Sequence, residues 1–319
     1  MSQAKRSQPI FFVFGIGVAI GICALLWLIS FVLIVNLRPL HQDRLIAFLP
    51  GESLNQFSQN LHHINLVPRP FYFNGWAILL GKDHHLQTGY YRMTPDMSLN
   101  ALLHKMVHGD VEHFKLMIIP GETLEDLLEQ ISQTGIQVPA HDRAQWQGTL
   151  YPNTYDYDND QTLLEVLNRS QQEMQNYLNQ AWPHRNKNAL YQNPFQVLIM
   201  ASILEKESSS FEDQEHMASV FMNRLQKGMY LDSDATVRYA VGAKPGVPLQ
   251  HSDFKSNSYF NTYRFKSLPP APICFVNLQT IQAALHPLTT NDLYFLTNAQ
   301  GQTIFSPNPI HLNQEKALS

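Results

Sequence analysis

Two carboxylates stand at the end of an oily segment. Residues 193–210 read Asn-Pro-Phe-Gln-Val-Leu-Ile-Met-Ala-Ser-Ile-Leu-Glu-Lys-Glu-Ser-Ser-Ser, so Glu205 and Glu207 follow an almost unbroken apolar run from Phe195 to Leu204. Glu is rarely fully buried unless paired, so an acid at the mouth of such a run is either bonded to a neighbour or chemically active. Desolvation raises a carboxyl pKa and keeps the group protonated near neutral pH, the state a general acid needs. The two acids are not equivalent. On a helix they point about 160° apart: Glu207 lies on the row of Met200 and Ile203, Glu205 on that of Leu198, Ala201 and Ser202. The competing reading makes both of them helix-end carboxylates, one salt-bridged to Arg224 or Lys206. Glu207 is the first choice for a catalytic acid and Glu205 the second.

The elements that must hold these acids follow from local signals. Asn193 is a good N-cap and Pro194 suits the first helical position, and a run greasy on every face predicts a buried helix. Residues 160–182 read as a long amphipathic helix through Leu163, Leu167, Met174 and Leu178, closed by Pro183. Residues 212–226 form another, with Met217, Val220, Phe221 and Leu225 on its apolar face and Gly228 at its stop. Asn223 and Arg224 are its inward polar residues, either orienting the acid or serving the helix alone. Asp234 can cap the short helix that follows. Residues 256–277 make a loop too long and too aromatic for a linker, with Asn261, Thr262, Tyr263 and the proline-rich run from Leu268 to Ile273. Flat rings, amides and hydroxyls suit a neutral polyhydroxylated ligand. Residues 292–297 and 303–306 look like a hairpin around Asn298-Ala-Gln-Gly301.

Towards the N-terminus, residues 7–37 contain no Lys, Arg, Asp or Glu. As a helix, residues 10–37 reach about 40 Å, more than the ~30 Å hydrocarbon core, so an uncleaved single-span anchor is expected there after a short tail at 1–9. Lys5 and Arg6 precede the span and Arg38 and Arg44 follow it, so charge balance leaves its orientation open. Gly17 and Gly21 make a GxxxG spacing that could pair two spans or merely reflect membrane composition. Beyond the anchor one pattern occurs three times: Pro50-Gly-Glu-Ser-Leu54, Pro95-Asp-Met-Ser-Leu99 and Pro120-Gly-Glu-Thr-Leu124. Each copy has apolar residues before it and an amphipathic run after it, which reads as strand, turn, capped helix. A small α+β module results, either a spacer or a binding surface.

Composition limits the function further. The 319 residues are 44% hydrophobic and 15% charged with a net charge of -4, a folded protein with no basic stripe to follow a phosphate backbone. Nucleic acid is therefore not an expected partner. Cys23 and Cys274 are too differently placed to suggest a disulfide framework. The 14 histidines include adjacent pairs at 62–63 and 84–85 and an i, i+4 pair at 104 and 108, but no HExxH and no Cys cluster. No metal is expected.

Five motifs in order resemble the MltG-type (YceG-like) endolytic murein transglycosylases: Leu150-Tyr-Pro-Asn-Thr-Tyr155, Ala201-Ser-Ile-Leu-Glu-Lys-Glu207, Ala218-Ser-Val-Phe-Met-Asn-Arg-Leu225, Asp234-Ala-Thr-Val-Arg-Tyr239, and Asn261-Thr-Tyr263 leading into Leu268-Pro-Pro-Ala-Pro-Ile273. The resemblance implies an α+β chain with an N-terminal transmembrane helix at 10–37, a LysM-like subdomain at 45–113 and a larger mixed α+β catalytic domain at 114–319. It implies a bacterial cytoplasmic-membrane protein whose catalytic domain lies outside, with peptidoglycan glycan strands as substrate, peptidoglycan synthases as candidate partners, and no cofactor. Its catalytic Glu corresponds to Glu207, and Asn223, Arg224, Asp234, Thr236, Asn261, Thr262 and Tyr263 are the substrate-binding candidates. The sequence departs from the family pattern at Ala235, Phe260, Ala271 and Cys274-Phe-Val-Asn277, where loop geometry is at stake. One acid would serve lytic transglycosylation. Two-carboxylate hydrolysis needs a second acid about 5–5.5 Å or 6.5–9.5 Å away, which Asp232 or Asp234 could supply. A membrane-tethered peptidoglycan-binding scaffold without activity is the reading from a different class.

Overall fold

The computed structural model describes residues 8–309 apart from 137, 139, 188 and 299–301; the side chains of 8–19, 24 and 140–142 are also outside the description. The chain divides into two compact units, Met1–His113 and Phe114–Ser319. Both mix helices with two-stranded antiparallel sheets, so the fold is α+β.

In the first unit the helix α1 (Gln8–Asn36) leads into β1 (Arg44–Phe48), α2 (Leu54–His63), α3 (Phe71–Leu79), β2 (Gly89–Met93) and α4 (Leu99–His108). The two copies of the repeat pair their strands, Arg44 opposite Met93 and Phe48 opposite Gly89. Ser53 and Ser98 cap the following helices through their side chains, and Ser53 with Gln56 completes a capping box. Phe57, Leu61, Phe73, Ala77, Tyr91 and Met106 fill the core between them. The anchor expected at 10–37 falls on α1. Among the described residues no helix is long and apolar enough to cross a membrane. The described side chains of α1 begin only at Ile20, so much of that expectation, Gly17 included, lies outside them.

The third copy of the repeat belongs to the second unit. Its strand β3 (Phe114–Met117) pairs with β4 (Thr154–Tyr157), and Thr123 with Asp126 forms a capping box on α5 (Leu124–Ser132). Next come α6 (Asp160–Ala181), α7 (Pro194–Glu207), α8 (Phe211–Gln226), α9 (Asp234–Ala240), α10 (Leu278–Leu285) and the hairpin β5 (Tyr294–Thr297) with β6 (Thr303–Ser306). Asn193 caps α7 by accepting from the amide of Gln196, with Pro194 at the start. Every residue from Val197 to Leu204 is buried, and α8 and α10 pack on α7. Burying each Leu or Ile of that run contributes roughly 1.5–3 kcal/mol, which holds the end of α7 in place.

The second half of the long loop at 256–277 is not a surface. Ile273, Cys274, Phe275 and Val276 are buried core residues. Ser202 Oγ accepts from the Ile273 amide at 3.0 Å, stitching this stretch to the middle of α7. Gly148 lets the chain pass close by: its φ is +63°, and a Cβ there would lie 2.4 Å from Pro272 Cβ and 2.7 Å from the Cys274 carbonyl oxygen. Gly148→Ala should therefore cost about 3 kcal/mol, from left-handed strain and displacement of the 272–274 backbone. Thermal unfolding should show Tm lowered by about 6–12 °C, and an unchanged Tm would mean the stretch is loosely packed.

Candidate active site

Glu207 is the last residue of α7, where the helix dipole is unfavourable to a negative charge. Its carboxyl is held above the ordinary value of 4.5, first by burial and then by the charge of Asp234, against a hydrogen bond from Ser233 that acts the other way. Ser233 donates through Oγ to Glu207 Oε1 at 2.5 Å. That leaves Oε2 as the oxygen able to carry a proton. Ser233 is the N-cap residue of α9 yet makes no side-chain cap bond. Such a bond is ordinarily worth about 1 kcal/mol, and here the hydroxyl serves the acid instead.

Three elements fix Ser233. From α8, Arg224, only 8% exposed, donates through Nη1 to the carbonyls of Tyr230 and Leu231 and to Asp232 Oδ2, and through Nε to the Leu293 carbonyl. The turn so clamped includes Asp232 at φ +51°, a left-handed conformation uncommon outside glycine. From the 256–277 loop, Thr262 Oγ1 accepts from the Ser233 amide at 3.1 Å and lies 2.8 Å from Thr236 Oγ1. Thr236 in turn donates to the Ser233 carbonyl. Asn261 organises that loop, donating to the carbonyls of Phe254 and Ser256 and accepting from the Tyr263 amide.

The side chains at the surface are Asp234 and Tyr263. Asp234 is exposed and does not cap α9; it accepts the Tyr263 hydroxyl at 2.6 Å. Burial, then the bond to Asp234, push the Tyr263 phenol well above its ordinary range. Asn261, Thr262 and Thr236 are fully buried with satisfied polar atoms, so in this structure they shape the site rather than line it. Asn223 is elsewhere, donating to the carbonyls of Thr290 and Asp292 ahead of β5. Glu205 is elsewhere too: its Oε2 accepts from the Asn277 amide at 3.0 Å and the Thr280 hydroxyl at 2.5 Å, anchoring the start of α10. Neither expected cation reaches the acids. Arg224 is on the 230–232 turn and Lys206 donates to the Gly121 carbonyl. Phe260, one of the departures noted above, packs its ring 4.7 Å from that of Tyr239. Ser233 is the residue sequence reasoning missed; it sits between the two aspartates we singled out.

One reluctant carboxyl, flanked by a tyrosine–aspartate pair and backed by a buried hydroxyl network, has the chemistry to give up and take back a proton. The profile of the YceG-like family matches residues 46–317. The chain belongs to the YceG-like family. It is similar to the endolytic murein transglycosylase of Bacillus subtilis strain 168, 28% identical over 262 residues that make up 72% of each protein. It is also similar to the endolytic murein transglycosylase of Streptococcus pneumoniae strain D39, 23% identical over 306 residues, 81% of this chain and 55% of that protein. A crystal structure of the yceG-like protein lmo1499 from Listeria monocytogenes superposes with a TM-score of 0.56 at 25% identity, covering 86% of this chain and 99% of that one.

Ser233 offers a test of the electrostatics. Its hydrogen bond favours the charged form of Glu207, so Ser233→Ala should raise the pKa further. An acid that must be protonated stops working as pH rises through its pKa. The alkaline limb of kcat/KM should therefore move to higher pH in the variant. A limb that stays put or moves down would detach Glu207 from it.

Proposed function

We propose that this chain is an endolytic murein transglycosylase that cuts peptidoglycan glycan strands between N-acetylmuramic acid and N-acetylglucosamine. The observation that carries the reading is Glu207, a carboxyl whose pKa burial raises and whose Oε1 accepts from Ser233. The family and the names of the two relatives support the substrate and reaction class. Glu207 gives its Oε2 proton to the glycosidic oxygen as the bond to the anomeric carbon breaks. The carboxylate, with the Ser233 hydroxyl on Oε1, then takes the proton of the muramyl 6-hydroxyl as that oxygen attacks the same carbon. A 1,6-anhydro end results, the acid is restored and no water is consumed. Asp232 is engaged by Arg224 and Asp234 by Tyr263, which favours one acid over two.

The apolar run at 10–37 is, on this reading, a single membrane span holding a LysM-like subdomain at 45–113 and the catalytic domain at 114–319 on the outer side of the bacterial cytoplasmic membrane. Peptidoglycan synthases are the partners such a cutter would accompany. The experiment is digestion of purified, uncrosslinked glycan strands by the full chain. Strand lengths should fall from internal cuts that leave anhydro ends. Early accumulation of disaccharides would make the enzyme exolytic, reducing ends would make it a hydrolase, and binding without release would make it a scaffold.

A further inference from the structure

Helix α3 keeps large apolar side chains exposed towards its C-terminal end. Phe73 and Ala77 point into the core of the first unit. Tyr72 and Trp76 meet Phe31 of α1, their ring centroids 5.5 and 6.1 Å from its own, and Gly75 lets the two helices close: a Cβ there would be 3.3 Å from the Phe31 ring. Beyond that contact the face stays open, with Ile78 60% and Leu79 63% exposed and Phe71 and Leu80 partly so, the Phe71 ring stacking 6.5 Å from that of Phe31. Together with Trp27 of α1, this face borders a groove of about 1100 Å³.

The register of α1 says what lies against it. From Ile20 to Ile29 every described side chain is exposed, whereas Phe31 and Val35 are buried in the core of the first unit. At 1.5 Å per residue, residues 10–30 cover about 31 Å, the thickness of the hydrocarbon core, and the remaining turns are left for docking. Trp27 then stands near the end of the span, where interfacial tryptophans gather. Arg69 and Lys82 flank α3 in the sequence, cations of the kind that lipid phosphates attract.

We propose that α3 is a second membrane element, lying in the lipid headgroup region with Ile78 and Leu79 among the upper acyl chains. The inference rests on the reading of α1 as a span. It makes the first unit ride on the bilayer through two helices rather than swing from one.

The test uses the full chain in phosphatidylethanolamine–phosphatidylglycerol vesicles, with an environment-sensitive fluorophore on single cysteines. The native Cys23 reports on the span, since Cys274 is fully buried. Ile78→Cys and His104→Cys, each in a Cys23→Ser background, report on α3 and on the exposed face of α4. A nitroxide-bearing lipid should quench the fluorophore at 23 and at 78, the latter at least about threefold more than at 104, as expected for burial of about 5–10 Å. Quenching at 23 but not at 78 overturns the inference and leaves the anchor standing. No quenching at 23 overturns the anchor and the inference together. A label at 78 shielded from both lipid quencher and aqueous iodide would mean that protein covers α3, which also overturns it. Leu79→Cys gives the same readout should Ile78→Cys misfold.

Discussion

Glu207→Gln should lower kcat/KM on glycan strands by about 10³–10⁴-fold, because one side chain performs both proton transfers. Glu205→Gln, two residues away, should stay within about threefold of wild type in kcat/KM and instead lose about 1–3 kcal/mol of stability. The contrast follows from their partners: Glu205 accepts two bonds at the start of α10, whereas Glu207, among the described residues, accepts from Ser233 alone and feels the charge of Asp234. Stability provides an independent check. A carboxyl whose folded pKa lies above its unfolded value stabilises the fold fully below the unfolded value, and that contribution is lost as pH rises through the folded pKa. Glu207→Gln should remove this loss, leaving the variant at least as stable as wild type at neutral and alkaline pH. A variant that is inactive and also unstable there would indicate a structural role.

Arg224→Met should be the most damaging change away from Glu207. It leaves the carbonyls of Leu231 and Leu293 without their donor, at about 1–3 kcal/mol for each buried acceptor, so unfolding free energy should fall by about 2–5 kcal/mol. The pairing with Asp232 adds little, because that carboxylate is 41% exposed on its side chain. Arg224→Lys should recover only part of the loss, since an ammonium cannot reproduce the fork that spans the turn and β5. Assayed below its Tm, Arg224→Met should lower kcat more than it raises KM, and its effect should shrink in a Ser233→Ala background, where the clamped group is already gone. Additive effects would place Arg224 outside the support of the acid.

Much of this scaffold was legible because its signals are local. The Asn193 cap, the all-round apolar run and the caps of the repeats occur within a few residues of the helices they start. Helix α3 lacked such a signal: Pro70 stands at its cap with no side-chain bond, and its face pattern is blurred by residues apolar on the outside as well. The start of α8 was read a residue late because three serines precede it, of which Ser210 is the cap. The burial of Glu207 was legible from the apolar run before it, but its hydrogen-bond partner was not. Ser233 reaches Glu207 across 26 residues, and Tyr263 reaches Asp234 across 29. No periodicity encodes such bonds. The same distance hid the burial of Asn261 and Thr262, whose polar side chains suggest a surface until their internal partners are known. The proline-rich stretch hid its buried end, where Ser202 on α7 draws in residues 273 and 274.

The most direct measurement is digestion of glycan strands in water enriched in oxygen-18, with mass analysis of the newly formed muramyl ends. Intramolecular attack by the 6-hydroxyl under Glu207 predicts anhydro ends carrying no heavy oxygen. Reducing ends that each carry one heavy oxygen would show that water is the nucleophile and contradict the single-acid transglycosylase.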